Sequence, residues 1–238
     1  MDLAAPQPVG SDHVGRWPIG RFAGVSGLLM VAAIIVNGPL AALVEQYPSF
    51  WTSSADADFE GFLSDSQRLD RAIVFFALSN LIFVFAIPFF AGLRVLVKRA
   101  DASGFLPAVV GIGVALFLAG GLASEVFSHG VAVVVRSVPG YDVSINTVLT
   151  VQGLQYVALV QGQVGLGVAL IALALAGGSS HMLPKWIWWL AGAAGVIDLI
   201  RPFAVTSPPF LIVTFVPTFL WIVVTSVALI LRPIQRAA

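Results

Sequence analysis

The chain contains no cysteine and few charged residues. Without cysteine, disulfide bonds, thiolate metal sites and iron–sulfur clusters are excluded. Charged residues make up 10% of the 238 residues, whereas a soluble domain has about 25%. Hydrophobic residues make up 58%, and they fall in runs rather than alternating with polar residues. The composition therefore indicates a protein whose main solvent is lipid.

The chain also lacks an excess of charge of either sign. Lys plus Arg and Asp plus Glu number twelve each, so the formal net charge is zero. Such a chain has no overall field that would attract nucleic acid or an acidic partner. We therefore expect no nucleic acid among its partners. The partners expected instead are the lipid bilayer and either an apolar small molecule or lipid, another membrane protein, or a second copy of the chain.

Six apolar segments meet or approach the length of about 20 residues that a spanning helix needs. They are residues 22–44, 72–97, 105–135, 148–176, 186–200 and 210–231. The fifth segment is the shortest, and its three tryptophans are typical of a membrane interface. The predicted fold is an all-α, polytopic transmembrane bundle of six spanning helices over residues 22–232. We expect a multi-pass protein of the cell membrane.

The remaining segments are polar. They are a flexible cytoplasmic tail over residues 1–21, an outer loop over residues 47–69, and a short tail over residues 233–238. In the loop, Phe59, Phe62, Leu63 and Leu69 recur at helical spacing. That spacing fits a surface helix or an outward continuation of the second span, and a solvated loop stays open. Eight of the twelve basic residues fall on the side of the N-terminus, which predicts that both termini are cytoplasmic.

Ionisable residues inside the predicted spans are the candidates for function, because a charge in hydrocarbon costs several kcal/mol unless it is paired or hydrated. Helical geometry places the three such residues of the third span on one face. The fourth span carries a broad face of glutamine and tyrosine, and the fifth ends in an acid–base pair. We predict that these groups converge on one polar cavity in the outer half of the membrane. Its candidate residues are Glu125, His129, Arg136, Asp198, Arg201, Gln152, Tyr156 and Glu45.

A structural alternative stays open for the same residues. Glu125 with an arginine of a neighbouring helix, and Asp198 with Arg201 or Arg136, would form ion pairs that hold the bundle together. The mid-span polar residues Asn37 and Ser79, with Asn80, are expected to tie helices together by hydrogen bonds. In this alternative the polar groups carry no ligand.

The sequence offers little support for a cofactor. His129 is the only histidine in a predicted span, so two axial ligands for a haem are lacking within the membrane. No lysine lies mid-span, which argues against a retinal Schiff base. Glu125 and His129 are four residues apart, which alone is a weak signal for a metal site. We therefore predict no cofactor and no metal, and the catalytic residues of any reaction are unknown.

The first hundred residues resemble a known family. The likeness lies in GRFAGVSGLLMVAAIIVNGPLAALVE and in FEGFLSDSQRLDRAIVFFALSNLIFVFAIPFFAGLRVLVKRAD. These stretches share an arginine before the first helix, a polar loop, and a second helix that ends in a basic turn. They resemble a family of small six-helix bacterial membrane proteins known only as a domain of unknown function. The resemblance implies a fold and no activity.

Three classes of function follow from these observations. The first is a non-catalytic membrane component, or a bundle that binds a small ligand or lipid, and we favour it. The second is a small proton-coupled transporter in which Glu125, His129 and Asp198 titrate. The third is an intramembrane enzyme in which a carboxyl group acts as general acid on an apolar, isoprenoid-like substrate. The sequence alone does not identify the substrate.

Overall fold

The computed structural model describes residues 19–40, 48, 51–98, 101, 103–178, 183–204 and 208–231, without the side chains of residues 39, 40, 204 and 208–213. All regular secondary structure in these residues is helical. The helices are α1 (Ile19–Ile35), α2 (Ala55–Ser64), α3 (Ser66–Lys98), α4 (Phe105–Ser137), α5 (Ile145–Gly178), α6 (Lys185–Ile200) and α7 (Pro208–Leu231). A π-helical segment (Val36–Leu40) continues α1, and a 3₁₀ turn (Arg201–Ala204) continues α6.

Five of these helices are long and apolar enough to cross a membrane. They are α1 with its π-helical segment, α3, α4, α5 and α7. The fifth predicted span corresponds to α6. This helix has only 16 residues and is about 24 Å long at 1.5 Å per residue. The hydrocarbon core of a bilayer is about 30 Å thick. The predicted all-α membrane bundle is therefore confirmed as a helical bundle, with five helices of spanning length where the sequence predicts six.

The six long helices form a closed ring. Each of α3, α4, α5 and α6 packs on the next helix along the chain, and α1 packs on both α3 and α7. Large side chains fill one half of the interior, where the rings of Phe89 and Phe90 contact Trp221. The shorter α2 packs against α3 and α5 at one end of the ring. We call that end the α2 end.

Small residues set the spacing within the ring. A Cβ atom on Gly120 of α4 would lie 2.6 Å from the Cα of Gly162 of α5. A Cβ atom on Gly195 of α6 would lie 2.7 Å from the carbonyl oxygen of Gly167 of α5. These helices therefore touch backbone to backbone, which is how helices associate in lipid.

The outer faces of the helices are apolar. Leu175 is 64% exposed, Ile112 is 63% exposed and Val84 is 55% exposed, although they belong to three different helices. Apolar side chains exposed all around a bundle are unfavourable in water, and they are the expected surface of a bundle solvated by lipid.

Several boundaries differ from the sequence prediction. The first helix begins at Ile19, inside the region predicted as a tail. Residues 55–64 of the predicted outer loop form α2, which is the helical alternative that the sequence left open beside a solvated loop. The third helix begins at Ser66, six residues before the predicted start of the second span. The phenylalanines of α2 account for its helix, because Phe59 and Phe62 are each only 1% exposed and face the bundle.

Candidate functional site

A partly open cavity of about 470 Å³ lies between the helices of the ring, close to the middle of α3, α4, α5 and α7. Small-molecule sites in proteins occupy roughly 300–1,000 Å³, so the space suits a ligand. The wall is formed by α1 with its π-helical segment, α3, α4, α5 and α7, and most of its side chains are apolar. The aromatic lining residues are Phe83, Phe117, Phe215 and Phe219, and the polar ones are Asn37, Glu125, Gln163 and Thr218.

The course of α1 explains why this space is open. Gly24 near its start lies against α7, because a Cβ atom there would be 2.6 Å from the carbonyl oxygen of Ser226. Farther along, α1 widens into the π-helical segment, which contains Gly38 and Pro39. Pro39 has no N–H group to donate to the helix. A Cβ atom on Gly38 would meet no other part of the described chain within 4 Å. Contact near the start of α1 and open space in the π-helical segment at its other end leave the cavity.

Three hydrogen-bond acceptors of lining residues are buried without a partner among the described residues. They are Oδ1 of Asn37, Oε2 of Glu125 and Oε1 of Gln163. Gln163 is only 2% exposed. A buried acceptor that makes no hydrogen bond costs about 1–3 kcal/mol. A donor supplied by a bound molecule would remove that cost.

Two donors on the same wall are bonded away from the cavity. The amide nitrogen Nδ2 of Asn37 donates to the carbonyl oxygen of Ala33 at 2.8 Å. The hydroxyl of Thr218 donates to Oδ2 of Asp198 at 2.9 Å. These two donors are therefore engaged within the protein.

Glu125 is the one ionisable residue among the lining residues that the structure describes. Its carboxyl oxygen Oε2 lies 3.4 Å from Nδ1 of His129, one turn along α4. That nitrogen is also 3.3 Å from the backbone oxygen of Glu125. Ser79 of α3 lies against the carboxyl group, and the ring of Phe76 packs on the imidazole with centroids 5.5 Å apart. The predicted pair of Glu125 and His129 thus lies together, with the carboxyl group at the cavity.

Asp198 and Arg201 lie behind the cavity wall. Asp198 is fully buried and Arg201 is 1% exposed. The nearest charge to each is the other, although no ion pair within 4 Å joins them. Asp198 reaches the cavity only through its hydrogen bond from Thr218. Among the described residues, nothing accepts a hydrogen bond from Nε or Nη1 of Arg201.

Gln152 and Tyr156 lie nearer the α2 end. The amide of Gln152 donates to the backbone oxygen of Ser128 at 3.2 Å. The ring of Tyr156 meets Trp51 edge to face with centroids 5.1 Å apart. These contacts join α5 to α4 and to the chain that precedes α2, and neither side chain lines the cavity.

Arg136 lies apart from the cavity. Its guanidinium Nε donates to Oδ1 of Asp70 at 2.6 Å, and both side chains are about half exposed. This pair links α4 to α3 at the surface. Glu45 lies outside the described residues. Of the eight residues predicted to share one cavity, the structure thus has Glu125 at the wall, His129 beside it, and five of the others elsewhere.

Asn37, Gln163 and Thr218 complete the polar wall. Gln163 carries a sequence signal, because it follows Tyr156 at helical spacing on the polar face of α5. Asn37 bonds within its own helix, as Ser79 does to the carbonyl oxygen of Phe76. Both were expected to tie helices together. The bond of Asn37 runs instead to the carbonyl group four residues back, which a short polar side chain reaches easily. Ser79 also lies against the carboxyl group of Glu125, and it thus joins α3 to α4 as expected.

The site has few means of holding a metal. Within the described residues, no three His, Asp or Glu side chains are grouped closely enough to do so. Chemically, the wall offers an apolar space, hydrogen-bond acceptors and one carboxyl group. Comparisons of the chain with protein-family models, with curated proteins and with solved structures gave no match.

Proposed function

We propose that this protein is a six-span integral protein of the cell membrane, with both termini cytoplasmic, that binds an apolar small molecule or lipid in its central cavity. In this proposal α6 with its 3₁₀ turn also crosses the membrane, which brings the number of spans to six. The protein is non-catalytic, and binding is its contribution to whichever membrane process it serves.

One observation carries the proposal. A cavity of about 470 Å³ in the bundle has mostly apolar walls and three buried acceptors that lack a partner within the described part of the chain. Ligand sites are typically apolar cavities with a small number of polar groups that fix orientation. A purely structural bundle gains nothing from such a space, because empty volume forfeits packing contacts.

The test fills the cavity and measures binding. Gly38→Leu adds a side chain where a Cβ atom meets nothing within 4 Å. We expect at least a tenfold loss of affinity for a radiolabelled dodecyl probe, measured by equilibrium binding to the purified protein in lipid nanodiscs. Gly153→Leu is the matched control, because Gly153 of α5 also has open space at its Cβ position but does not line the cavity. Equal affinity of both variants and the parent chain would contradict the proposal.

The carboxyl group favours a second candidate. Glu125 lines an apolar cavity, and a carboxyl group in such a place can act as general acid on an apolar, isoprenoid-like substrate. An enzyme of this kind predicts that Glu125→Gln retains the substrate and forms no product. If the parent chain binds the substrate and forms no product, only the first proposal remains.

A further inference from the structure

The chemistry of the cavity wall says which ligands it fits, given the proposed function on which this inference rests. Glu125 provides the single ionisable group among the described lining residues. Among the described residues its Oε2 atom is buried without a hydrogen-bond partner, and the one basic side chain within 4 Å of the carboxyl group is His129, at 3.4 Å. Ser79 lies against the same carboxyl group. An anionic carboxyl group in an apolar space is costly unless a cation and hydrogen bonds compensate it.

Two other polar side chains of the wall have acceptor atoms that lack a donor among the described residues. Asn37 and Gln163 each leave a buried carbonyl oxygen unbonded, on α1 and α5 respectively. The Thr218 hydroxyl donates to Asp198. The Asn37 amide nitrogen donates to a backbone oxygen. A ligand that brings several N–H donors can therefore bond to these oxygens.

The aromatic part of the wall favours a cation independently. Four phenylalanines line the same cavity as Glu125, contributed by α3, α4 and α7. The face of an aromatic ring attracts an ammonium group, and the attraction is stronger where water is excluded. Aromatic rings together with a carboxyl group are the usual means by which proteins bind organic cations.

We propose that the central cavity binds an apolar molecule that carries a protonated amino group, with the ammonium at Glu125 and the hydrocarbon part among the phenylalanines and aliphatic side chains. The ammonium supplies both the positive charge and the three donors. Neutral alcohols of the same chain length supply one donor and no charge, and carboxylates supply neither.

The test compares three probes of equal length: dodecylamine, dodecanol and dodecanoate. An alkyl ammonium is charged at pH 7, since amines of this kind have pKa values near about 10. We expect the parent chain in nanodiscs to bind dodecylamine at least tenfold more tightly than dodecanol, and dodecanoate most weakly. Glu125→Gln should abolish the preference for the amine, measured as the ratio of the affinities for dodecylamine and dodecanol. Glu60→Gln on the exposed face of α2 is the matched control, because it makes the same change of charge away from the cavity.

A second variant tests whether the preference is lost because the charge is missing or because the protein folds poorly. The double variant Glu125→Gln with Gln163→Glu keeps one carboxyl group at the same cavity, and we expect it to restore the preference for dodecylamine. Equal binding of amine and alcohol by the parent chain, or tighter binding of dodecanoate, would overturn this inference. If Gly38→Leu still weakens all three probes, the proposed function stands without it. If no probe binds specifically, both fall.

Discussion

Thr218 is the residue that connects the cavity to the buried acid behind it. Its hydroxyl lies on the wall and donates to Oδ2 of Asp198, which is fully buried. The other carboxyl oxygen of Asp198 has no partner among the described residues. The Thr218 hydroxyl is therefore the one described hydrogen-bond donor to this carboxyl group, and its loss leaves a buried carboxyl group unbonded.

Replacing Thr218 tests that dependence. Thr218→Val keeps the shape of the side chain and removes the donor, so we expect a loss of about 1–3 kcal/mol in the free energy of unfolding. Thr218→Ser retains the hydroxyl and should lose much less. Tryptophan fluorescence during thermal unfolding in a mild detergent measures both. Similar destabilisation by Val and Ser would mean that packing, not the hydrogen bond, is what Thr218 contributes.

Asp101 holds the connection between α3 and α4. Its carboxyl group accepts hydrogen bonds from the backbone and hydroxyl of Ser103 and from the backbone of Leu106. These bonds, that of the Ser103 hydroxyl first, lower the pKa of Asp101 below its ordinary range. A lowered pKa in the folded state stabilises the fold above the unfolded pKa, and that contribution disappears as the pH falls through the folded value.

The pH dependence follows from that sign. We expect Asp101→Asn to lower the midpoint of thermal unfolding at pH 6 to 7, and the difference from the parent chain to shrink as the pH falls below about 4. Unfolding scans of both proteins at matched ionic strength measure it. A difference that stays constant from pH 7 to pH 3 would rule out a contribution from the ionised carboxyl group.

At the scale of single residues, the sequence predicts which side chains need a partner better than it predicts where they lie in the fold. Its composition and runs identify Glu125 and His129 as groups that need a partner, and they do lie together. It does not predict that Arg136 pairs with Asp70, because that contact depends on the rotation of α4 against α3. Rotation is set by glycine contacts between helices, and a run that is apolar all around has no face that reveals it.

The contact between α4 and α5 is the clearest case of an element positioned by its small residues. Gly120 and Gly162 face each other so closely that a Cβ atom on Gly120 would overlap the backbone. Backbone atoms cannot turn aside as the end of a side chain can. The two helices must therefore separate if Gly120 gains a side chain.

Gly120→Ala tests this contact. We expect it to lower the free energy of unfolding by about 1–3 kcal/mol, the usual cost of overpacking. Gly130→Ala on the same helix is the control, because its Cβ position is open. There the change should be neutral or stabilising by up to about 1 kcal/mol, since alanine favours a helix over glycine. Unfolding in SDS titrations compares the two, and equal effects would remove the close contact as their explanation.

The sequence also predicts the elements well and their ends less well. An apolar run marks each long helix. The first residues of α3 are polar and still helical, so this helix begins before its apolar run. The π-helical segment that opens the cavity has only a partial signal in Pro39 and Gly38. Such local widening depends on which carbonyl groups neighbouring side chains satisfy, and the pattern of hydrophobicity does not contain that information.

For the whole molecule, the closed ring makes the number of spans a question about α6. With six spans both termini lie on one side of the membrane, and with five they lie on opposite sides. We expect fusions of a fluorescent protein to either terminus to fluoresce in a bacterial cytoplasm, because the excess of arginine and lysine lies on that side. Fluorescence from only one of the two fusions would show an odd number of spans and exclude α6.

The central claim concerns the cavity itself, and cross-linking tests it most directly. A dodecyl probe with a diazirine at its chain end, activated by light in nanodiscs, labels whatever it lies against. The account predicts labelling of Leu166, which lines the cavity and is only 2% exposed, and competition of that label by excess unlabelled probe. Label on Leu175, which is 64% exposed on the outer face, should resist competition. Labelling confined to outward-facing residues such as Leu175 would contradict the claim that the ring encloses a binding site.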